Sequence, residues 1–84
     1  MLMDCKGDAA MTFAEELRRI RQRSFLSQEA FAKEVNVSFS TVNRWETGKT
    51  RPNLMAMKSI KYYCEKNMVD FDRLEELWLS AERE

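Results

Sequence analysis

The chain contains no histidine. That absence removes the commonest general base, any thiol–imidazole couple and the ligand pattern of a zinc finger. Cysteine occurs only twice, at Cys5 and Cys64, without a C-x-x-C spacing. Neither a disulfide scaffold nor a thiolate metal site is expected. Two glycines and one proline leave no glycine-rich phosphate loop. No apolar run approaches the ~20 residues that a membrane-spanning helix needs. The start of the chain lacks the apolar block of a signal peptide, so a cytoplasmic protein is expected. Alternating strand patterns, internal repeats and low-complexity tracts are missing throughout. Glu75 and Glu76 are neighbours in a helical pattern and face different ways, so they make no acid–base couple. These absences argue against an enzyme, and no cofactor, metal or small-molecule ligand is expected.

Net charge is also zero, with 14 basic and 14 acidic side chains. On its own this speaks against a polyanionic partner. The distribution speaks differently. Between Arg18 and Arg51 there are eight cations (Arg18, Arg19, Arg21, Arg23, Lys33, Arg44, Lys49, Arg51) against three acids (Glu29, Glu34, Glu46), a net of +5. From Asp70 onward six acids face two arginines, a net of −4. A partner senses the local field within a Debye length of ~8–10 Å, not the sum. Taken alone, both runs are ordinary solvated helix faces.

What is present is helical pattern. At 84 residues, 44% hydrophobic and 33% charged, the chain suits one small domain of modest core and marginal stability. Residues 1–11 have no period and are expected to form a flexible tail, with Met11 able to serve as a start itself. Residues 12–84 are expected to form the domain. Thr12 and Glu15 make a capping box for a first helix to about Arg23, with Phe13, Leu17 and Ile20 inward. Ser24-Phe25 breaks it. Ser27 caps a second helix over Gln28 to about Val35, and Asn36 suits a left-handed turn. Ser38 caps a third helix, about Phe39 to Glu46, which Gly48 ends as a left-handed residue. Arg51-Pro52 is extended. Asn53 caps a fourth helix to about Asn67, with Leu54, Met57, Ile60 and Cys64 inward. A fifth covers 70–82, where Phe71, Leu74, Leu77, Trp78 and Ala81 recur at three- and four-residue steps. The expected fold class is all-α, a bundle of five short helices.

The stretch Gln28–Thr47 is the most informative. Phe31, Ala32, Val35, Val37, Val42 and Trp45 form inward stripes on two short helices that meet at Asn36. Trp45 is read as core and not as a stacking platform for bases. Ser38, Phe39, Ser40, Asn43 and Arg44 fall off the stripe and must face out. Two helices at a tight turn, the second with a polar, arginine-bearing outer face, have the geometry that fits the major groove of DNA. Arg44 offers a planar fork matching guanine O6 and N7. Ser40 and Asn43 can donate and accept at base edges. Phe39 either packs on a thymine methyl or folds back onto Phe25 or the second helix. Lys49, Thr50 and Arg51 follow the third helix and can grip phosphates, or stand as ordinary loop charge.

From about Phe13 to Ile60 the residues resemble the Cro/repressor-type (xenobiotic-response-element-like) helix-turn-helix domains. Leu26-Ser27-Gln28 opens the motif and Arg44-Trp45-Glu46-Thr47-Gly48-Lys49 closes it. Two positions depart: Asn36 stands where the family prefers glycine, and Phe25 where many relatives have it. The resemblance implies a lambda-repressor-like fold and a phosphate contact from Gln28 at a helix start. It also implies an ion pair between Arg21 and Glu46 that joins the first helix to the third. It implies a dimeric transcriptional regulator, of the repressor kind, reading two half-sites ~34 Å apart. Phe71, Leu74, Leu77 and Trp78 either form that dimer contact or cover the core of their own chain. Double-stranded DNA and a homodimer partner are thus expected, with no membrane. The competing expectation is a protein-interaction adaptor or antitoxin-like module on the same fold.

Overall fold

The computed structural model describes residues 11–83, so the tail expected over 1–11 lies outside it except for Met11. Five helices follow: α1 Phe13–Arg23, α2 Gln28–Glu34, α3 Phe39–Glu46, α4 Leu54–Lys66 and α5 Asp72–Arg83. The fold is all-α, with no strand among the described residues.

The helix boundaries are written in local chemistry. Thr12, Ser27, Ser38 and Asn53 each sit in an extended conformation and accept a hydrogen bond from the third helical amide. At Thr12 the box closes both ways: Thr12 N donates to Glu15 Oε1 at 3.0 Å, and Glu15 N donates to Thr12 Oγ1 at 3.2 Å. Helices α1 to α4 then end alike. Phe25, Asn36, Gly48 and Met68 have φ of 59°, 62°, 80° and 59°. Their amides donate back to Gln22, Lys33, Trp45 and Glu65, at 3.0, 3.3, 3.3 and 3.3 Å. The next amides, of Leu26, Val37, Lys49 and Val69, donate to Arg21, Ala32, Arg44 and Cys64, at 3.3, 2.9, 3.0 and 2.7 Å. This pair of bonds is the Schellman motif, and it places a left-handed residue just past each helix. Glycine and asparagine adopt that backbone readily, while phenylalanine and methionine carry a Cβ penalty of roughly 1–2 kcal/mol.

One core unites the helices. Leu17 and Ile20 from α1, Phe31 and Ala32 from α2, and Val42 and Trp45 from α3 meet Met57, Ile60, Tyr63 and Cys64 of α4 and Leu74 of α5. Phe31 and Tyr63 pack edge to face with centroids 5.5 Å apart. Helix α2 lies on α3, and α1 packs against both α3 and α5.

Two expectations change. Leu54, expected inward, is 63% exposed. Three-residue steps along a helix drift by about 60° per step, so a stripe centred on Ile60 and Cys64 has turned away from Leu54 by the first turn. Phe71 and Leu74, offered for a dimer contact, are buried in the chain's own core, leaving Leu77 and Trp78 half-buried and Leu79 exposed. Leu74 has no accessible surface and Phe71 is 9% exposed, so these two take the other alternative stated for them and cover the core of their own chain. Among the described residues no helix is long and apolar enough to cross a membrane.

Candidate nucleic-acid interface

The site is best understood from the lock beneath it. Glu46, the last residue of α3, is buried. Arg21 of α1 grips it with two bonds, Nε to Oε2 at 2.7 Å and Nη2 to Oε1 at 2.9 Å. The Arg21 Nη1 donates to the Leu26 carbonyl at 2.9 Å, which also ties down the α1–α2 turn. Gln28 Nε2 donates to Glu46 Oε1 at 3.0 Å, and Arg18 Nη2 donates to the Glu46 carbonyl at 3.2 Å. One carboxylate therefore joins α1, α2 and α3. A planar fork on a carboxylate is directional as well as strong, so it fixes the orientation of α3. Among the described residues, every buried side-chain nitrogen or oxygen has a hydrogen-bond partner.

The opposite side of α3 is open. Ser38, Phe39, Ser40, Asn43 and Arg44 are all exposed, while Val42 and Trp45 between them are buried. The structure thus brings the five residues expected to read bases onto one accessible surface. They are not equally available. The Ser38 hydroxyl accepts from the Thr41 amide at 3.2 Å and shares a hydrogen bond with Thr41 Oγ1 at 2.8 Å, so its first duty is the cap. Asn43 Nδ2 donates to Gln28 Oε1 at 3.3 Å. The Gln28 amide thus bridges the buried Glu46 and the exposed Asn43. This chain links the lock to the outer face and presets the Asn43 amide. Phe39 is 50% exposed, and Phe25 at 94% exposed has nothing folded over it, so Phe39 does not pack there.

Beyond α3, Lys49 and Thr50 are exposed and line an open groove of about 830 Å³ with Arg18 and the first turn of α1. Arg51 borders that groove but is engaged elsewhere. Its Nη2 donates to the Trp78 carbonyl at 2.7 Å, and its guanidinium lies 4.6 Å from the centre of the Trp78 ring. The Trp78 indole Nε1 in turn donates to the Pro52 carbonyl at 2.8 Å. The loop after α3 is thereby clamped to α5.

Several of these residues had no separate sequence signal. Arg18, Arg51 and Trp78 act across 26 or more positions. Glu16 is buried and held by Arg19, at 2.9 and 2.7 Å; its three-residue spacing is a signal, though an ambiguous one. Burial, with Asp70 and Glu65 adding to it, pushes the Cys64 thiol up from 9.0 to about 11, so it is no nucleophile. Among the described residues no group of three or more histidine, cysteine or acidic side chains could hold a metal ion.

A short helix set across a second one at a left-handed turn, with its outer face free, defines the helix-turn-helix class of DNA-binding modules. The helix-turn-helix family model matches residues 17–60, and this chain belongs to that family. Its sequence is similar to the HTH-type transcriptional activator BcrR of Enterococcus faecalis, 34% identical over 74 residues. The alignment covers 88% of this chain and 36% of that relative, so the chain spans about a third of the relative's length. No solved structure matches the chain significantly.

Proposed function

We propose that the chain binds double-stranded DNA sequence-specifically and regulates transcription as a homodimer. The observation that carries this reading is the contrast across α3: Glu46 and Trp45 are buried, and Ser40, Asn43 and Arg44 stand exposed on the far side. A rigid helix with a free face of donors and acceptors is what major-groove reading requires. Arg44 has the fork for guanine, and Ser40 and Asn43 have the reach for base edges. Lys49 and Thr50 flank them for phosphates, with the backbone N–H of Gln28 at the α2 start, its side-chain amide being engaged by Glu46 and Asn43. Neutral net charge does not oppose this, because the cations cluster in the segment that carries the face.

The sign of regulation follows from where the operator lies. The relative is named an activator, whereas steric occupancy of a promoter represses.

Selection of binding sites from random duplexes tests the reading. A consensus repeated with twofold symmetry, its halves about 34 Å apart, is the expected result. Retention on unselected duplex should be seen at low salt and lost near ~0.3 M, as counterion release demands. Absence of retention at every salt concentration would favour the adaptor function instead.

A further inference from the structure

We propose that Gln28 is a specificity-determining residue: it pins the Asn43 amide so that Asn43 reads adenine and rejects guanine. The proposal rests on the base reading by α3 proposed above, and adds which base is read and what decides it.

The polarity is set at the buried end. A carboxylate offers acceptors only. That of Glu46 is buried, takes two bonds from Arg21 and a third from Gln28 Nε2 at 3.0 Å. The nitrogen end of the Gln28 amide must therefore face Glu46, because the reverse setting puts an amide oxygen against a carboxylate oxygen. This leaves Gln28 Oε1 turned to Asn43. An amide oxygen accepts, so Asn43 has to answer with its nitrogen, and Nδ2 donates to Gln28 Oε1 at 3.3 Å. Gln28 stands half-buried between the buried Glu46 and the exposed Asn43. The orientation of an amide on the outer face of α3 is thus dictated by a carboxylate two hydrogen bonds behind it.

Donors and acceptors can then be counted. An unpinned asparagine side chain has two N–H donors and a carbonyl acceptor, and half a turn about its last bond presents either end. With one N–H given to Gln28, Asn43 has one N–H and its oxygen left for a ligand. Adenine shows the matching pair in the major groove, with N7 accepting and the N6 amino group donating. Guanine shows N7 and O6, two acceptors side by side, and asks for two donors. Pinned Asn43 has only one to give, and its oxygen would face O6. The neighbouring Arg44, with a fork of donors and no acceptor, has the opposite preference. Adjacent positions on α3 are tuned to different purines, Arg44 by its own chemistry and Asn43 by the relay behind it.

The test is site selection followed by fluorescence anisotropy on duplexes that differ at one base pair. Asn43→Ala identifies the position Asn43 reads, as the one whose preference it abolishes. The base there should be adenine, favoured over guanine by roughly tenfold or more in the native chain. Gln28→Met keeps the length of the side chain and the backbone N–H, and has no amide. It should lower the adenine-to-guanine ratio at that position about fivefold, the order of one neutral hydrogen bond, with an unchanged circular dichroism spectrum. A ratio cancels any change in phosphate grip, and a general loosening of the chain would act at every position, so the loss should be confined to this one. In the Asn43→Ala background Gln28→Met should not alter the ratio, because no amide remains to be pinned. Guanine at the Asn43 position, no position that answers to Asn43→Ala, or a full native ratio in Gln28→Met would each overturn the proposal and leave DNA binding standing. A native chain that retains no duplex would overturn both.

Discussion

The two sides of α3 differ in how fully their side chains are occupied. On the inner side a single carboxylate answers Arg21, Gln28 and Arg18, and the neighbouring Trp45 and Val42 are packed. On the outer side Arg44 stands in solvent, Ser40 has only a long 3.4 Å contact with the Ser38 hydroxyl, and the Asn43 side chain keeps a free carbonyl and one free N–H after its bond to Gln28. Groups whose bonding is complete within the chain make a scaffold. Groups left partly unanswered on a rigid support are what a ligand can use.

Mutations can break that contrast, and the largest effect belongs to the inner side. Glu46→Ala strips the carboxylate from a largely buried Arg21. Leaving one member of such a pair alone costs ~3–5 kcal/mol. A small domain shifts its Tm by ~4–8 °C per kcal/mol, so thermal melting should fall by more than about 12 °C or the chain should not fold. A fall as small as that for Arg44→Ala, expected within ~0.5 kcal/mol, would mean that the lock does not hold α3.

The clamp comes next. Trp78→Phe keeps a ring for Arg51 and removes the indole N–H from the Pro52 carbonyl. About 1 kcal/mol of stability should be lost in chemical denaturation, with phosphate-dependent DNA retention weakened as the loop loosens. Retention lowered without a stability change would separate the loop from α5.

A gain of similar or smaller size is expected at two helix ends. Phe25 and Met68 hold left-handed backbone at exposed positions. Phe25→Gly and Met68→Gly should each stabilise by ~0.5–1 kcal/mol, read from denaturation midpoints. A loss would show that these side chains pack more than their exposure implies.

The last effect is confined to high pH. With its pKa raised from 9.0 to about 11, Cys64 favours the neutral thiol in the folded state. The unfolded chain releases that proton first. Its contribution is therefore complete below pH 9 and disappears as pH rises through about 11. Cys64→Ala should flatten that part of the stability profile.

The sequence was most legible where the physics is local. Thr12, Ser27, Ser38 and Asn53 were readable as caps because each hydroxyl or amide answers an amide three residues on. Asn36 and Gly48 were readable as turns because few residues tolerate that backbone. Phe25 and Met68 take the same backbone against their preference, dictated by the Schellman bonds and not by residue type, so no turn signal marked Met68. The outer face of α3 was legible from periodicity. The Arg21–Glu46 pair needed the family likeness, since nothing in a spacing of 25 residues predicts it. The Arg51–Trp78 clamp was illegible because it depends on how α5 returns past the loop. Leu54 misled because three-residue steps look periodic for longer than they stay on one face.

The central claim concerns what the outer face of α3 does, and one comparison tests it most directly. Fluorescence anisotropy titrations of Arg44→Ala and Lys49→Ala should be run on a selected duplex and on a random one, at matched low salt. Arg44→Ala should lose ~1–3 kcal/mol on the selected site and almost nothing on the random one, and Lys49→Ala should weaken both alike. Equal losses on both duplexes for Arg44→Ala, or none on either, would contradict base reading by α3.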